Sequence, residues 1–241
     1  MAEPSEIVAE AIAFATSARR DLEGVRVLVT AGPTRERVDP IRFLSNRSSG
    51  RMGYAVAEAA RDRGARVTLL SGPTGLTRPE GLRFVSFETA ADLDNLLAAE
   101  FPECDVLVMA AAVADFIPEP SAARLHRADG ERSVRLAPGK DLLAGLAGKS
   151  EGQTVVAFAA ETEDLESRGR RKMDAKGADL VVVNDVGRPD TGFEAPDNEV
   201  ILLSRGAAEP VSRRSKREVA ERIWDAVLRE RRAGSERSVL R

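Results

Sequence analysis

Cysteine and histidine are almost absent from this 241-residue sequence, which contains one of each, Cys104 and His126. One cysteine excludes a disulfide within the chain, and the pair cannot supply a zinc site built from several Cys or His ligands. A catalytic triad or dyad would depend on His126 alone, and no nearby Ser or Cys suggests a nucleophile. We therefore interpret His126 as a surface residue and Cys104 as a packing residue.

A long apolar run and an excess of one charge are also missing. No segment reaches the roughly 18 apolar residues that a membrane span needs, and the N-terminus lacks the basic-then-apolar order of a signal peptide. We expect a cytoplasmic protein without a membrane partner. The 36 Lys and Arg nearly balance the 39 Asp and Glu. This argues against a nucleic-acid partner, because such a surface needs a basic excess.

The rest of the sequence alternates between strand and helix patterns. Short β-branched runs predict strands, and apolar residues at helical spacing predict helices between them. The predicted strands are 25–31, 66–70, 82–87, 106–110, 155–158 and 180–183, and the predicted helices are 5–21, 52–63, 90–100, 165–176 and one that begins at Ser215. This order predicts a doubly wound, Rossmann-like α/β fold with a mostly parallel sheet. Small antiparallel extensions are expected over 199–211 and in a basic flap over 123–136, which turns at Asp129-Gly130.

The loop after the first strand is the first place where chemistry is expected, because such folds bind ligands beyond the carboxyl ends of their strands. It lacks the G-x-G-x-x-G fingerprint of a dinucleotide site. Instead Ser48, Ser49, Gly50 and Gly53 lead into a helix. The glycines could let a ligand approach backbone N–H groups, or Gly53 could simply pack against a neighbour in a helix that Ser48 or Ser49 caps. This pattern alone leaves both interpretations open.

Two later segments are further candidates. Asp115 follows an alanine-rich strand end, where its carboxylate could bind hydroxyl groups or a cation, or could only cap a buried strand. Lys172 and Lys176 lie four residues apart on one helix face, with Arg168 one turn earlier. Such a face is usually just solvated, but this helix follows another strand-end loop at the same sheet edge. Two lysines held there could bind a polyphosphate.

Several motifs together resemble one family. They are T-A-G-P-T-R-E at 30–36, D-P-I-R-F-L-S-N-R-S-S-G-R-M-G at 39–53, A-A-V-A-D-F at 111–116, V-A-F-A-A-E-T at 156–162, and N-D-V followed by G-F-E-A-P-D-N at 192–198. The chain resembles the phosphopantothenoylcysteine synthetases of coenzyme A biosynthesis, the ligase half of a bifunctional bacterial flavoprotein. The resemblance implies a synthetase domain over 24–232, a linker-like helix over 1–23 and a disordered tail over 233–241.

The resemblance also implies a reaction. Family members join 4'-phosphopantothenate to L-cysteine; bacterial members use CTP, with Mg²⁺ offsetting the triphosphate charge, and eukaryotic ones use ATP. The carboxylate attacks the α-phosphorus to give an acyl-cytidylate and pyrophosphate, and the cysteine amine then displaces CMP. A homodimer is implied, with the site completed near its interface. The flavin-dependent decarboxylase half has no counterpart here, so no flavin is expected on this chain, and that half could be a partner or a fused domain.

The roles that the resemblance implies fall into three groups, and it leaves the metal ligands open. The catalytic residues are Asn46 and Arg124; the substrate-binding residues are Arg42, Ser48, Gly50 and Gly53; the nucleotide-binding residues are Ala110, Ala111, Asp115, Gly139, Lys140, Asp141, Leu142, Phe158, Lys172 and Lys176. Two positions depart from the family. Lys140 replaces a proline, and Arg124 stands where the family has a flap lysine. Arginine keeps the positive charge but does not release a proton, so only charge stabilisation carries over.

Two other functions stay open on the sequence. The α/β alternation alone would also suit an NAD(P)-binding oxidoreductase, although the dinucleotide fingerprint and a conventional acid–base pair are missing. The loss of the flap lysine would suit a catalytically weakened nucleotide-binding module. The ordered set of motifs favours the ligase.

Overall fold

The computed structural model describes residues 19–146, 150, 152–185 and 197–239. The strands are β1 (Arg26–Ala31), β2 (Arg35–Arg37), β3 (Phe43–Ser45), β4 (Arg66–Ser71), β5 (Arg83–Ser86), β6 (Val106–Met109), β7 (Phe116–Pro118), β8 (Leu136–Pro138), β9 (Thr154–Glu161), β10 (Leu180–Asp185), β11 (Asp197–Ser204) and β12 (Ala208–Ser215). The α-helices are α1 (Arg51–Asp62), α2 (Ala90–Glu100), α3 (Leu165–Lys176) and α4 (Lys216–Val239). No helix in these ranges is long and apolar enough to cross a bilayer.

The described strands build one eight-stranded sheet in the order β12-β11-β10-β9-β6-β1-β4-β5, and two small hairpins, β2-β3 and β7-β8. Pairing is parallel from β10 to β5, while β11 and β12 add an antiparallel edge. The chain runs outward from β1 to β4 and β5, then returns to place β6 on the other side of β1. The loops after β1 and β6 therefore diverge at a topological switch point, where α/β folds bind ligands.

Helices cover both faces of the sheet because its strands are apolar on both sides. On one face α1 and α4 pack over side chains such as Val27 and Val29. On the other face α2 and α3 pack over Leu28 and its neighbours, since successive strand residues point to opposite sides. Trp224 of α4 is fully buried and donates its Nε1 hydrogen to Val56 O at 2.9 Å, as its predicted core position requires.

A buried arginine joins the start of the domain to α4. Arg63 is fully buried and makes ion pairs with Asp21, Glu221 and Asp225 at 2.7, 3.3 and 3.0 Å. Burial raises the pKa of Glu221 despite the opposing charges of Arg63 and Arg217. A buried guanidinium without partners would be strongly destabilising. Arg63 is tolerated here because carboxylates surround it on several sides.

The doubly wound sheet and its main helices are confirmed, and the predicted Ser215 capping box is present: Glu218 accepts from Ser215 N at 3.1 Å while Ser215 Oγ accepts from Glu218 N at 3.3 Å. The hairpin over 199–211 is also confirmed, extended to β11 and β12. The sequence did not predict the β2-β3 hairpin. The predicted helix over 5–21 lies almost entirely outside the described residues.

Two predicted features are wrong in detail. The flap pairs β7 with β8, whereas the predicted hairpin over 123–136 is a loop with a short 3-10 turn at Arg127–Asp129. Its residues are mostly exposed, Val134 and Leu136 included, and a two-stranded hairpin that buries no apolar face is marginal. The tail predicted to be disordered from 233 continues α4 as far as Val239, because one glycine, Gly234, costs only about 1 kcal/mol in a helix.

Candidate functional site

A cleft of about 890 Å³ opens at the carboxyl edge of the parallel strands. It lies over the switch point between β1 and β6, because the loops that follow these strands form its walls. All the predicted site residues except Arg42 and Arg124 line it: Asn46, Ser48, Gly50, Gly53, Ala110, Ala111, Asp115, Gly139, Lys140, Asp141, Leu142, Phe158, Lys172 and Lys176. Folding therefore brings together segments that are more than 120 residues apart in the sequence.

Asn46 joins the two loops that diverge at the switch point. Its Nδ2 group donates to Ala112 O at 3.2 Å and to Val113 O at 3.1 Å. Backbone bonds reinforce the junction, since Thr34 N donates to Ala112 O and Ala112 N donates to Gly32 O. The amide of Asn46 is thus fixed in the cleft lining by both loops.

The first turn of α1 decides between the two interpretations of its glycines. A Cβ on Gly53 would lie 2.5 Å from the Ala31 Cβ, so Gly53 packs the helix tightly against β1. Gly50 is the N-cap with φ +78°, a left-handed conformation that favours glycine. The N-cap is therefore Gly50 and not Ser48 or Ser49, and the Gly50 N–H donates to Ser48 Oγ at 3.3 Å. The turn lines the cleft.

Helix α3 approaches the sheet closely and so carries its lysines to the cleft. A Cβ on Gly169 would lie 2.5 Å from both Leu203 Cδ1 and Val183 Cγ2, so only glycine fits there. Met173, one turn later, is buried in the same contact. Lys172 and Lys176 line the cleft, whereas Arg168 pairs with Glu161 and Glu163.

The lysines on this side of the cleft already lie close to carboxylates. Lys176 makes an ion pair with Asp141. Lys172 is half-buried. This burial lowers its pKa and neighbouring Lys176 lowers it further, while Glu161, Asp115 and Asp141 oppose the shift. An anion that enters here therefore meets lysines whose positive charge is already partly balanced by carboxylates.

The loop 139–142 is attached both to the Asp115 backbone and to the hydrophobic core. Gly139 N donates to Asp115 O at 2.8 Å, and the buried side chain of Leu142 anchors the loop in the core. Lys140, the residue that replaces a family proline, donates to both carboxylate oxygens of Asp94 on α2, at 2.9 and 2.7 Å. Asp141 is consequently presented to α3 from a loop with several attachments.

Several lining residues go beyond the predicted set: Arg51, Met52, Met109, Asn184, Asn198 and Lys216. Asn184 is the second-last residue of β10 and is 8% exposed, and its Oδ1 has no hydrogen-bond partner. Its position at a strand end, first in the quoted N-D-V motif, was a usable signal. Lys216 gave no such signal, because only the packing of α4 beside α1 brings its helix start to the cleft.

Arg42 and Arg124 lie elsewhere. Arg42 pairs with the buried Asp39 and donates to Leu125 O at 3.1 Å, which ties the β2-β3 turn to the flap loop. Burial would raise the pKa of Asp39, but hydrogen bonds from the N–H groups of Ile41, Arg42 and Leu125 and from the Arg42 side chain lower it to about 2. Arg124 is exposed beside this contact. The two predicted residues are therefore near one another but do not line the cleft.

The two rare residues behave as predicted. His126 is exposed and its backbone N donates to Asp129 Oδ2 at 3.3 Å. Cys104 is buried, which raises the pKa of its thiol to about 12. A thiol that stays protonated at neutral pH is a packing group rather than a nucleophile.

The cleft contains separate oxygen donors rather than a cluster of metal ligands. Within the described ranges no group of three or more His, Cys, Asp or Glu side chains could hold a metal ion. The cleft does contain the Asp115 carboxylate and the unpartnered Asn184 Oδ1. Such a donor set fits Mg²⁺ that arrives on substrate phosphates and takes few protein ligands.

The sheet topology and the cleft define a doubly wound α/β protein whose polar site straddles the switch point. The model of the DNA/pantothenate metabolism flavoprotein C-terminal domain matches residues 22–230. The chain belongs to this family.

Two relatives and a solved structure support the same family assignment. The chain is 40% identical over 228 residues to the coenzyme A biosynthesis bifunctional protein CoaBC of Bacillus subtilis, covering 93% of this chain and 56% of that protein. It is 43% identical over 222 residues to CoaBC of Mycobacterium bovis, covering 86% and 53%. It thus spans about half the length of these relatives. A crystal structure of a CoaBC C-terminal domain matches with a TM-score of 0.73 at 35% identity, covering 86% of this chain and 96% of that one.

Proposed function

We propose that the protein is a ligase that joins 4'-phosphopantothenate to L-cysteine with CTP, in coenzyme A biosynthesis. The observation that carries the proposal is the cleft at the switch point, which all the predicted site residues except Arg42 and Arg124 line in a member of this family. The basic groups of the cleft suit a site that binds a triphosphate together with a phosphorylated acid.

In the first step the carboxylate of phosphopantothenate attacks the α-phosphorus of CTP, and pyrophosphate leaves. Phe158 and the loop 110–111 line the cleft, and in this proposal they contact the nucleoside while Lys172 and Lys176 supply positive charge for phosphate oxygens. Mg²⁺ on the triphosphate would neutralise part of its charge, with the Asn184 oxygen as a suitable protein donor.

In the second step the cysteine amine attacks the acyl carbon, its proton is lost to solvent or a base, and CMP leaves. Asn46 binds the loop that follows β6 through its amide, and in this proposal it steadies the acyl group of the intermediate. Arg124 lies on the exposed flap, so in this proposal it acts by charge and only when the flap closes or a second copy presents it. A homodimer is part of the proposal for that reason.

A stepwise assay tests the function. Pyrophosphate release should require CTP and 4'-phosphopantothenate together, and CMP should appear when cysteine is added. Replacing CTP by ATP in the same assay measures nucleotide preference. Pyrophosphate release without phosphopantothenate would contradict the proposal, and an acyl-cytidylate that cysteine fails to discharge would indicate the weakened module instead.

A further inference from the structure

One hydrogen-bond acceptor in the cleft is left unassigned by the predicted roles. Asn184 lines the cleft and is more than nine-tenths buried, and its Oδ1 has no hydrogen-bond partner in the part of the chain that the structure describes. Buried polar atoms are almost always hydrogen-bonded, so an open acceptor in a ligand site indicates a bound group that donates to it. A hydroxyl, an amine or an amide N–H would satisfy this oxygen.

The register of the sheet places Asn184 next to Phe158. Asn184 is opposite Ala160 on β9, and Phe158 is opposite Val182 on β10. Residues two apart on a strand share a face, so Asn184, Phe158 and Ala160 point to the same face of the sheet. Phe158 packs against the core on the face that α1 and α4 cover. The open acceptor therefore lies diagonally beside an aromatic ring in the cleft lining.

A second amide of the cleft lining is already used by the protein. Asn198 donates from Nδ2 to Met52 Sδ at 3.9 Å, and its Oδ1 accepts from Glu199 N at 3.1 Å. Asn184 differs because its oxygen stays open. An aromatic ring, the apolar Met52 and one open acceptor suit a flat heterocycle that carries an amino group.

We propose that Asn184 Oδ1 accepts a hydrogen bond from the exocyclic amino group of the nucleobase, so that the site selects cytosine over uracil. The inference rests on the proposed function, in which Phe158 contacts the nucleoside, and it adds a residue that determines nucleotide specificity. The base then lies on the sheet face that α1 covers. We call the first turn of α1 the α1 side of the cleft, and Lys172, Lys176 and Asp141 the α3 side.

Mg²⁺ is the competing partner for this oxygen, because it also takes amide oxygen ligands. The carboxylates that act on Lys172, namely Glu161, Asp115 and Asp141, lie around the α3 side. Charged oxygens of this kind are the protein ligands that Mg²⁺ uses most. A metal on the triphosphate is therefore better served there, and the aromatic neighbour of Asn184 favours a base.

Calorimetry on the full chain tests the proposal with three nucleotides. They are CTP, UTP and the CTP analogue in which hydrogen replaces the 4-amino group. The wild type should bind CTP about tenfold more tightly than the analogue, because the analogue cannot donate. UTP should bind more weakly still, because its 4-keto oxygen would face the Asn184 oxygen.

Two variants of Asn184 complete a double-mutant cycle with the amino group. Asn184→Leu has a similar volume and no acceptor, so CTP and the analogue should bind within about twofold of one another. Asn184→Asp keeps an acceptor and should keep the preference for CTP, even where its charge lowers both affinities. Asn184→Ala carries the same expectation as the leucine variant and replaces it if leucine lowers the melting temperature.

The matched control is Asn95→Leu on the exposed face of α2, which should keep the wild-type preference. Equal wild-type affinity for CTP and the analogue would overturn the inference, as would a preference that survives in Asn184→Leu. A loss in Asn184→Leu that is the same for both nucleotides and vanishes without Mg²⁺ would assign the oxygen to the metal and overturn it too. A wild type that binds no CTP refutes the proposed function as well, whereas ligation with equal affinities refutes this inference alone.

Discussion

The two sides of the cleft reach the same space by different means. The α3 side depends on side-chain ion pairs: Lys176 with Asp141, and Lys172 among three carboxylates. The α1 side, formed by the first turn of α1, depends on close backbone packing, with Gly53 against Ala31. The difference predicts that a change of charge on the α3 side alters nucleotide affinity, whereas the α1 side tolerates no added side-chain volume at Gly53.

Asn46 lies between the sides, and changing it should have the largest effect. In Asn46→Asp a carboxylate would face the Ala112 and Val113 carbonyl oxygens that now accept from the amide. The same charge would repel an anionic intermediate, so we expect kcat/KM for ligation to fall about a hundredfold or more. Steady-state release of CMP measures this fall in kcat/KM.

The matched control for this change is Asn95→Asp on the exposed face of α2, which introduces the same charge outside the cleft. It should leave turnover unchanged, and both variants should keep the wild-type melting temperature within a few degrees. Unchanged turnover in Asn46→Asp would remove Asn46 from the reaction and leave it a role in joining the loops.

Breaking the ion pair of the α3 side should have a smaller effect. Lys176→Gln removes a cation next to the nucleotide, and we expect the KM for CTP to rise about tenfold while the KM for cysteine changes less than twofold. Asp141→Asn frees Lys176 instead, so the KM for CTP should stay constant or fall. If both variants raised the KM for CTP equally, the Lys176–Asp141 ion pair would serve only to fix the loop 139–142.

How far the sequence predicts the molecule depends on what determines each feature. The sheet and the α3 lysines followed from periodicity, because a buried strand or helix face needs apolar residues at fixed spacing. Asn184 was within reach of the strand-end rule. Lys216 was not, since its place in the cleft depends on α4 packing across α1, more than 150 residues away. The flap was mispredicted because charged residues on each side of a turn signal do not supply the apolar face that holds a hairpin together.

The smallest expected effect is a pH dependence on the α3 side. Burial and the charge of Lys176 lower the pKa of Lys172 from 10.5, so Lys172 loses its charge at a lower pH than an exposed lysine. A bound phosphate favours the protonated form, so CTP affinity should be constant below this lowered pKa and should fall as pH rises through it. Calorimetry in buffers of different ionisation enthalpy should detect the accompanying proton uptake.

The pH profile of Lys172→Gln assigns that uptake. This variant should lose the alkaline decline of CTP affinity that the wild type shows. The decline is expected to change affinity only several-fold, because a lysine that loses its charge can still donate a hydrogen bond. An alkaline decline that is identical in the wild type and Lys172→Gln would mean that Lys172 does not meet the phosphates, and its place beside three carboxylates would then serve the packing of α3 alone.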